Sequence, residues 1–206
     1  MNINGLILVA GLSSRMNDFK PLMELDGKPV IFHTINSMLN ANVDKIVLVL
    51  GYRGYDIEKV VSSTYDSNKV IFLYNYNFKT SDMLASIKIG LESMPPCDAF
   101  YLLPGDMPMV SKEVFLNLAE NIKEHKKSII FPLLNGHKKH PPLITGNLID
   151  DILNFNEDGG LRKFFAITNA NILTVNTEDI GCSLDLDTQD DFKNMEEYLL
   201  EPSHHL

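Results

Sequence analysis

Six apolar runs separated by amphipathic stretches limit this chain to few architectures. Strand candidates are Leu6–Val9, Lys45–Leu50, Val70–Tyr74, Ala99–Leu103, Ser128–Pro132 and Ile172–Val175. Helical spacing of apolar residues marks Val30–Asn40, Tyr55–Ser62, Asp82–Glu92, Lys112–Glu124, Asn147–Asn154 and Gln189–Leu200. Strands that alternate with helices predict an α/β protein of three layers, α/β/α, around a mostly parallel sheet. Ligands in such sheets bind beyond the carboxyl ends of the strands, near a switch in strand order. The loops with unusual residues all follow strand candidates.

A chain of 206 residues is expected to form one domain, taken here as 1–200, with a tail at 201–206 that contains His204 and His205. No apolar run approaches the roughly 20 residues needed to span a bilayer, so no membrane association is expected. Met1–Gly5 has no basic segment of the secretory kind. Cys97 and Cys182 fit no metal or redox spacing, and together these features predict a cytoplasmic protein. The net charge of −9 argues against a nucleic-acid surface. A nucleotide needs only a local cationic pocket.

Such a pocket is written at the end of the first strand. Val9, Ala10, Gly11, Ser13 and Ser14 form a small-residue loop, and Arg15 and Lys20 follow. Small residues let backbone N–H groups approach an anion closely. The two cations neutralise a polyphosphate. Neither the Walker A pattern nor the dinucleotide fingerprint is present.

Val9-Ala10-Gly11-Leu12-Ser13-Ser14-Arg15-Met16 through Lys20 resembles the L-A-A-G-x-S-x-R-M-G-x-x-K signature of MobA-like nucleotidyltransferases. Within that group it looks most like the molybdenum cofactor cytidylyltransferases. Val9 stands for the first Ala of the pattern and Asn17 for the Gly after Met. The resemblance implies a Rossmann-like nucleotidyltransferase fold, that of nucleotide-diphospho-sugar transferases.

Further segments match in order. Pro104-Gly105-Asp106-Met107-Pro108 offers Asp106 at a strand's carboxyl end, while Ser111 is placed to cap the next helix. A hard carboxylate suits Mg²⁺ that also holds phosphate oxygens. The segment resembles the family's G-D-M-P, which implies a metal role for Asp106. Asp185 and Asp187, read as strand residues two apart, point the same way. They precede Thr188, Asp190 and Asp191, which read as a capped helix start. The family's D-x-D-T-P-E-D implies a metal or outer-shell role for Asp185 and Asp187. The choice between them stays open.

Asn75 through Leu91 fits the family's N-x-x-[FWY] start and S-[LI]-x-x-G-L end through Asn75, Phe78, Ser86, Gly90 and Leu91. Thr80, Ser81 or Asp82 caps the helix, and Thr80 and Ser86 are candidate nucleotide contacts beside Gly105. Asn135-Gly136 is a strong hairpin signal. Gly136, and His140-Pro141 after His137, Lys138 and Lys139, fit the family's G-x-x-G-H-P, which faces the acceptor, with Lys139 standing for the Gly before His. Lys138, Lys139 and His140 read as cations for an anionic acceptor, or as a solvated turn. A zinc site is not expected there, because no Cys or third His lies nearby. Asp158-Gly159-Gly160-Leu161-Arg162 resembles D-x-G-[AL]-R before a short helix, with Arg162 either paired to Asp158 or binding acceptor phosphate. His33, His125 and Lys28 read as ordinary helix residues.

The resemblance implies an enzyme in which an acceptor phosphate oxygen attacks the α-phosphorus of a nucleoside triphosphate and pyrophosphate leaves. Arg15, Lys20 and Asp106 are its candidate catalytic residues, and Mg²⁺ is held by Asp106 with Asp185 or Asp187. Ala10, at a position where the family pairs Ala with CTP and Gly with GTP, implies CTP. The implied acceptor is molybdopterin, with a molybdenum hydroxylase apo-enzyme as a further partner. Sugar-phosphate or alcohol-phosphate acceptors, or an idle cofactor-binding chaperone, are the alternatives.

Overall fold

Four parallel strands form the centre of the molecule, and their apolar composition explains why. In the computed structural model, which describes residues 1–11, 19–122 and 126–200 apart from the Leu200 side chain, β1 is Ile3–Val9. A short hairpin follows, β2 Glu24–Leu25 and β3 Lys28–Pro29, leading into α1 Val30–Asn40. Then come β4 Ile46–Leu50, α2 Gly54–Ser62, β5 Val70–Tyr74 and α3 Met83–Glu92. β6 Ala99–Pro104 and α4 Lys112–Glu120 complete this half. The other half holds β7 Ser128–Leu134, β8 His137–Lys138, β9 Leu143–Thr145, α5 Ile149–Leu153, α6 Gly160–Ile167, β10 Asn171–Asn176 and α7 Gln189–Leu200.

The sheet runs β10-β7-β9-β6-β1-β4-β5, with β8 paired to β7. All pairs are parallel except those made by β9 and β8. From β1 the chain goes outward through β4 and β5, then crosses back to β6 on the other side. The strand order therefore switches between β1 and β6, and the loops after these strands border the crevice.

Two apolar layers clamp the sheet. Ile31, Ile35 and Met38 of α1 pack with Ile57 and Val61 of α2 and Val114, Phe115 and Leu118 of α4 on one face. Leu84, Ile87 and Leu91 of α3 pack with Ile152 of α5 and Phe164 of α6 on the other. A smaller cluster of Leu25, Val30, Met109, Leu186 and Met195 docks α7 beside α1.

The three-layer, mostly parallel fold agrees with the sequence expectation. Several details differ. The strand β9 has no counterpart among the expected elements, and the helix expected over Asn147–Asn154 is a 3-10 turn followed by the short α5. The helix α4 ends at Glu120, four residues before the expected Glu124, and Glu124 with His125 lies outside the described residues. Ser111 holds the N-cap position of α4 without a side-chain cap; its N–H donates to Asp179 Oδ2 at 3.0 Å. Asp82, rather than Thr80 or Ser81, caps α3 by accepting from the Ala85 N–H at 2.9 Å. Positions 201–206, read as a tail, also lie outside the described residues.

Candidate active site

The strand ends Val9, Leu50 and Tyr74 lie in register on one edge of the sheet, where Leu8 pairs with Pro104. Gly105 joins two of these ends. Its N–H donates to Leu8 O at 2.9 Å. A methyl group built on it would lie 2.7 Å from Val9 Cγ2, so the close approach of the two loops requires glycine. Asp106 is thereby delivered beside the start of the first loop.

The second acidic segment is brought to the same place by a backbone bond, Leu186 N–H to Asp106 O at 2.8 Å. Residues 184–188 are an extended loop and not a strand, which corrects the expectation for Asp185 and Asp187. Alternation still operates. Leu186 is fully buried, while Asp185 is exposed and Asp187 half-buried on its two sides. Thr188 then starts α7: its Oγ1 accepts from the Asp191 N–H at 3.2 Å, and Asp191 Oδ2 accepts from Thr188 N–H and Oγ1–H, each at 2.7 Å. The same carboxylate accepts from the Asp187 N–H at 3.2 Å, so the cap also orients the site loop. The Thr188 hydroxyl, opposed by partial burial and helped by the backbone N–H groups, holds the Asp191 carboxyl below the ordinary carboxylate range.

Lys20 stands among the carboxylates. It opens a 3-10 turn at Lys20–Leu22, is 6% exposed, and its Nζ lies 3.0 Å from Asp187 Oδ1. Burial pushes the Asp106 carboxyl above its ordinary range. Lys20 opposes that shift, whereas Asp185 and Asp187 add to it. Three carboxylates around one ammonium leave excess negative charge in a partly desolvated pocket. Among the described residues, no group of three His, Cys, Asp or Glu side chains is spaced to hold a metal by itself.

Across β6, the antiparallel β9 starts at the same edge. Leu102 N–H donates to Pro142 O at 3.1 Å, and Lys139 N–H to Pro132 O at 2.9 Å. The His140–Pro141 peptide is cis. His140 Nδ1 is buried with no hydrogen-bond partner among the described residues. Burial lowers its pKa below the ordinary histidine value, against the effects of a Leu102 backbone hydrogen bond and of Asp185. The ring is thus neutral at pH 7, which corrects its reading as a third cation beside Lys138 and Lys139. His137 is exposed on β8.

Other expected site residues divide. Val9 is buried and Ala10 half-buried at the edge, with Gly11 exposed after them. Ser13, Ser14 and Arg15 lie outside the described residues. Thr80 is exposed and donates to Asn77 O at 3.3 Å. Ser86 is 4% exposed, and its Oγ accepts from Asn75 Nδ2 at 2.9 Å. Asn75 also reaches Ser81 Oγ and Asn77 N, so it orders the loop before α3. Arg162 is exposed in the first turn of α6, in the α3–α5–α6 layer, and no ion pair joins it to Asp158 among the described residues. Gly51 is a site neighbour that the sequence reading passed over, although a glycine directly after the apolar run Ile46–Leu50 is itself a signal.

The profile of the MobA-like NTP transferase domain matches residues 5–173. The chain belongs to the MobA-like NTP transferase family, and it is a nucleotidyltransferase. Over 199 residues it is 26% identical to the molybdenum cofactor cytidylyltransferase of Escherichia coli, covering 97% of this chain and 98% of that protein. A nucleotidyl transferase from Methanothermobacter thermautotroptrophicus superposes with a TM-score of 0.82 at 21% identity, over 97% of this chain and 98% of the other. The 4-diphosphocytidyl-2C-methyl-D-erythritol synthase of Anaerococcus prevotii gives 0.73 at 20% identity, over 97% and 99%. These structural likenesses bear on fold. Among the described residues of this family member, no helix is long and apolar enough to cross a membrane.

Proposed function

We propose that this nucleotidyltransferase moves CMP from CTP to the phosphate of a molybdopterin-type acceptor. The observation that carries the reading is the meeting of Lys20, Asp106, Asp185 and Asp187 at the switch between β1 and β6. The acceptor oxygen forms a bond to the α-phosphorus, the α–β bridging bond breaks, and pyrophosphate leaves with the bonding electrons. Such a reaction requires positioning and charge neutralisation more than a covalent nucleophile.

Lys20 holds leaving phosphate oxygens, together with Arg15. Asp106 and one of Asp185 and Asp187 hold Mg²⁺. The donor set fits that ion, because Mg²⁺ takes one or two carboxylates and completes its shell with phosphates and water. Bound there, Mg²⁺ would supply charge neutralisation on phosphate oxygens and would ease the repulsion from Asp185 and Asp187 that adds to the effect of burial on Asp106. The neutral His140 offers Nδ1 as an acceptor for an O–H or N–H of the second substrate.

CTP and molybdopterin are favoured by Ala10 and by similarity along the whole length of the E. coli enzyme. Free thiols at Cys97 and Cys182 suit the reducing cytoplasm. The test is a nucleotide panel with Mg²⁺, read by thermal shift and by pyrophosphate release with molybdopterin. CTP is expected to give the largest shift and the fastest release. Ala10→Gly is expected to narrow the CTP-over-GTP preference, by up to ~10-fold for a one-methyl change in pocket shape. Equal or faster release with GTP in the unmodified protein would remove the cytidylyl assignment. No release with any triphosphate would remove the catalytic one.

A further inference from the structure

The residues that flank the segment with Ser13, Ser14 and Arg15 are Ala10 and Gly11 on one side and Phe19 and Lys20 on the other. Both ends touch one short turn, Gly51-Tyr52-Arg53, between β4 and α2. At the first end, Gly51 N–H donates to Val9 O at 3.3 Å. A methyl group built on Gly51 would fall 2.6 Å from the Ala10 carbonyl oxygen and 2.8 Å from its Cα. The same methyl would lie 2.9 Å from Phe78 Cβ, so Phe78 closes over this end. At the second end, the Phe19 ring meets the Tyr52 ring edge-on, with centroids 5.9 Å apart. The Arg53 guanidinium lies 4.6 Å over the Phe19 ring. Arg53 adopts a positive φ of 50° and is fixed by Asp56, Nε to Oδ2 at 2.6 Å. Tyr52 also reaches Phe78 at 6.3 Å, which links the two ends through one side chain.

We infer that Gly51, Tyr52 and Arg53 are positioning residues that hold both ends of the nucleotide loop at a set separation and so aim Lys20 at the triphosphate. The inference rests on the nucleotide site proposed above. The turn also starts α2, with Arg53 at its N-cap position and Gly51 O accepting from Gly54 N–H at 3.1 Å, but that role does not call for the Tyr52 ring. Tyr52 is 41% exposed, and an aromatic ring at such a place contributes little to a core. Phe19 directly precedes Lys20, so a shift of its ring is passed to the ammonium through one peptide unit. The geometry is that of a clamp: a close backbone contact that only glycine allows on one side, and a ring and a cation on the other.

The experiment uses Tyr52→Ala, Tyr52→Phe and Gly51→Ala in the full chain, read by steady-state kinetics for CTP and by amide hydrogen exchange without ligand. Tyr52→Ala is expected to raise the CTP KM by about two- to tenfold, the factor that one aromatic pair represents. Exchange is expected to quicken over Phe19–Leu22 and Val9–Gly11 and to stay unchanged over β7 and β9. Tyr52→Phe keeps the ring and is expected to behave as wild type. Gly51→Ala is expected to disturb Val9–Gly11 more than Phe19–Leu22. Wild-type exchange at both ends in Tyr52→Ala would overturn the inference, whatever happens to KM. So would a Tyr52→Phe variant as impaired as Tyr52→Ala, which would mean that the hydroxyl acts directly. If the wild-type protein turns over no triphosphate, the functional reading falls and the exchange arm alone decides whether the turn clamps the loop.

Discussion

Strand β4 buries all five of its residues, whereas β10 leaves Asn171, Thr174 and Asn176 exposed. The contrast extends to the two flanks of the central pair β1 and β6. On the β4–β5 flank every neighbour is parallel and every crossover carries an α-helix. On the other flank an antiparallel strand, β9, is inserted between β6 and β7, and a hairpin carries the chain into it. The first flank presents backbone and a cation, at Ala10, Gly11 and Lys20. The second presents a neutral imidazole at His140 whose Nδ1 has no hydrogen-bond partner among the described residues. Asp106 lies on the seam, bonded through its carbonyl to the loop of Asp185 and Asp187. In the proposed function one flank holds the triphosphate and the other receives the second substrate, with the acidic groups between them.

The sharpest way to break this comparison is at the seam. Asp106→Asn should lower Mg²⁺-dependent turnover by ~10³-fold or more, since metal charge stabilisation is worth several kcal/mol. The carboxyl is raised by burial, so its ionisation opposes folding as pH climbs from the unfolded pKa through the folded one. With chelator present, Asp106→Asn should therefore melt at or above the wild-type temperature at pH 7, and the gain should vanish toward low pH, where both states are protonated. Persisting turnover, with an unaltered Mg²⁺ titration, would reduce Asp106 to a turn residue.

Next in size is a pair of substitutions, one on each flank. Lys20→Met keeps the buried stem and removes the charge; kcat should fall by about 10²-fold, the usual loss for one charge-stabilising donor. His140→Ala should instead raise the KM for the acceptor while leaving the KM for CTP unchanged. If His140→Ala weakened CTP and spared the acceptor, the division of labour between flanks would be reversed.

The smallest effect belongs to the cap of α7, which holds Asp187 through Asp191. Thr188→Ala should cost about 1 kcal/mol, or about 2–4 °C of melting temperature in a chain of this size. The Asp191 carboxyl is lowered, so its contribution is complete above the unfolded carboxylate pKa and is lost as pH falls through the folded value. The gap between Thr188→Ala and wild type should accordingly narrow in acid to what the Asp191 N–H bond to the hydroxyl contributes. A constant gap at all pH values would show that the hydroxyl acts without the carboxylate.

Local chemistry was legible in the sequence wherever a residue's neighbours in the chain determine its conformation. Asn135-Gly136 makes the expected hairpin, with positive φ at both residues, 50° and 78°. Asp26-Gly27, between β2 and β3, does the same at 48° and 70°. Thr188 caps its helix as its position implied. The fully apolar runs before Ala10 and Gly105 became buried parallel strands with their carboxyl ends on one edge, because only a sheet covered on both faces removes such runs from water. The loops that follow therefore share an edge.

Three features depended on contacts between segments far apart in the chain. The run Leu143–Thr145 is too short to declare a strand by pattern, and its antiparallel direction comes from pairing with β6 and β7. The placement of Asp185 and Asp187 beside Asp106 comes from one backbone bond and from the burial of Leu186, which a pattern of alternating acids cannot distinguish from a helix start. The neutrality of His140 comes from desolvation, a property of what surrounds the ring and not of Lys138 and Lys139 next to it in sequence. Residue types and spacing determined which groups this protein can bring to a phosphate; the packing of β9, Leu186 and the Gly51 turn decided their charge and their aim, because desolvation and close backbone approach exist only once distant segments meet.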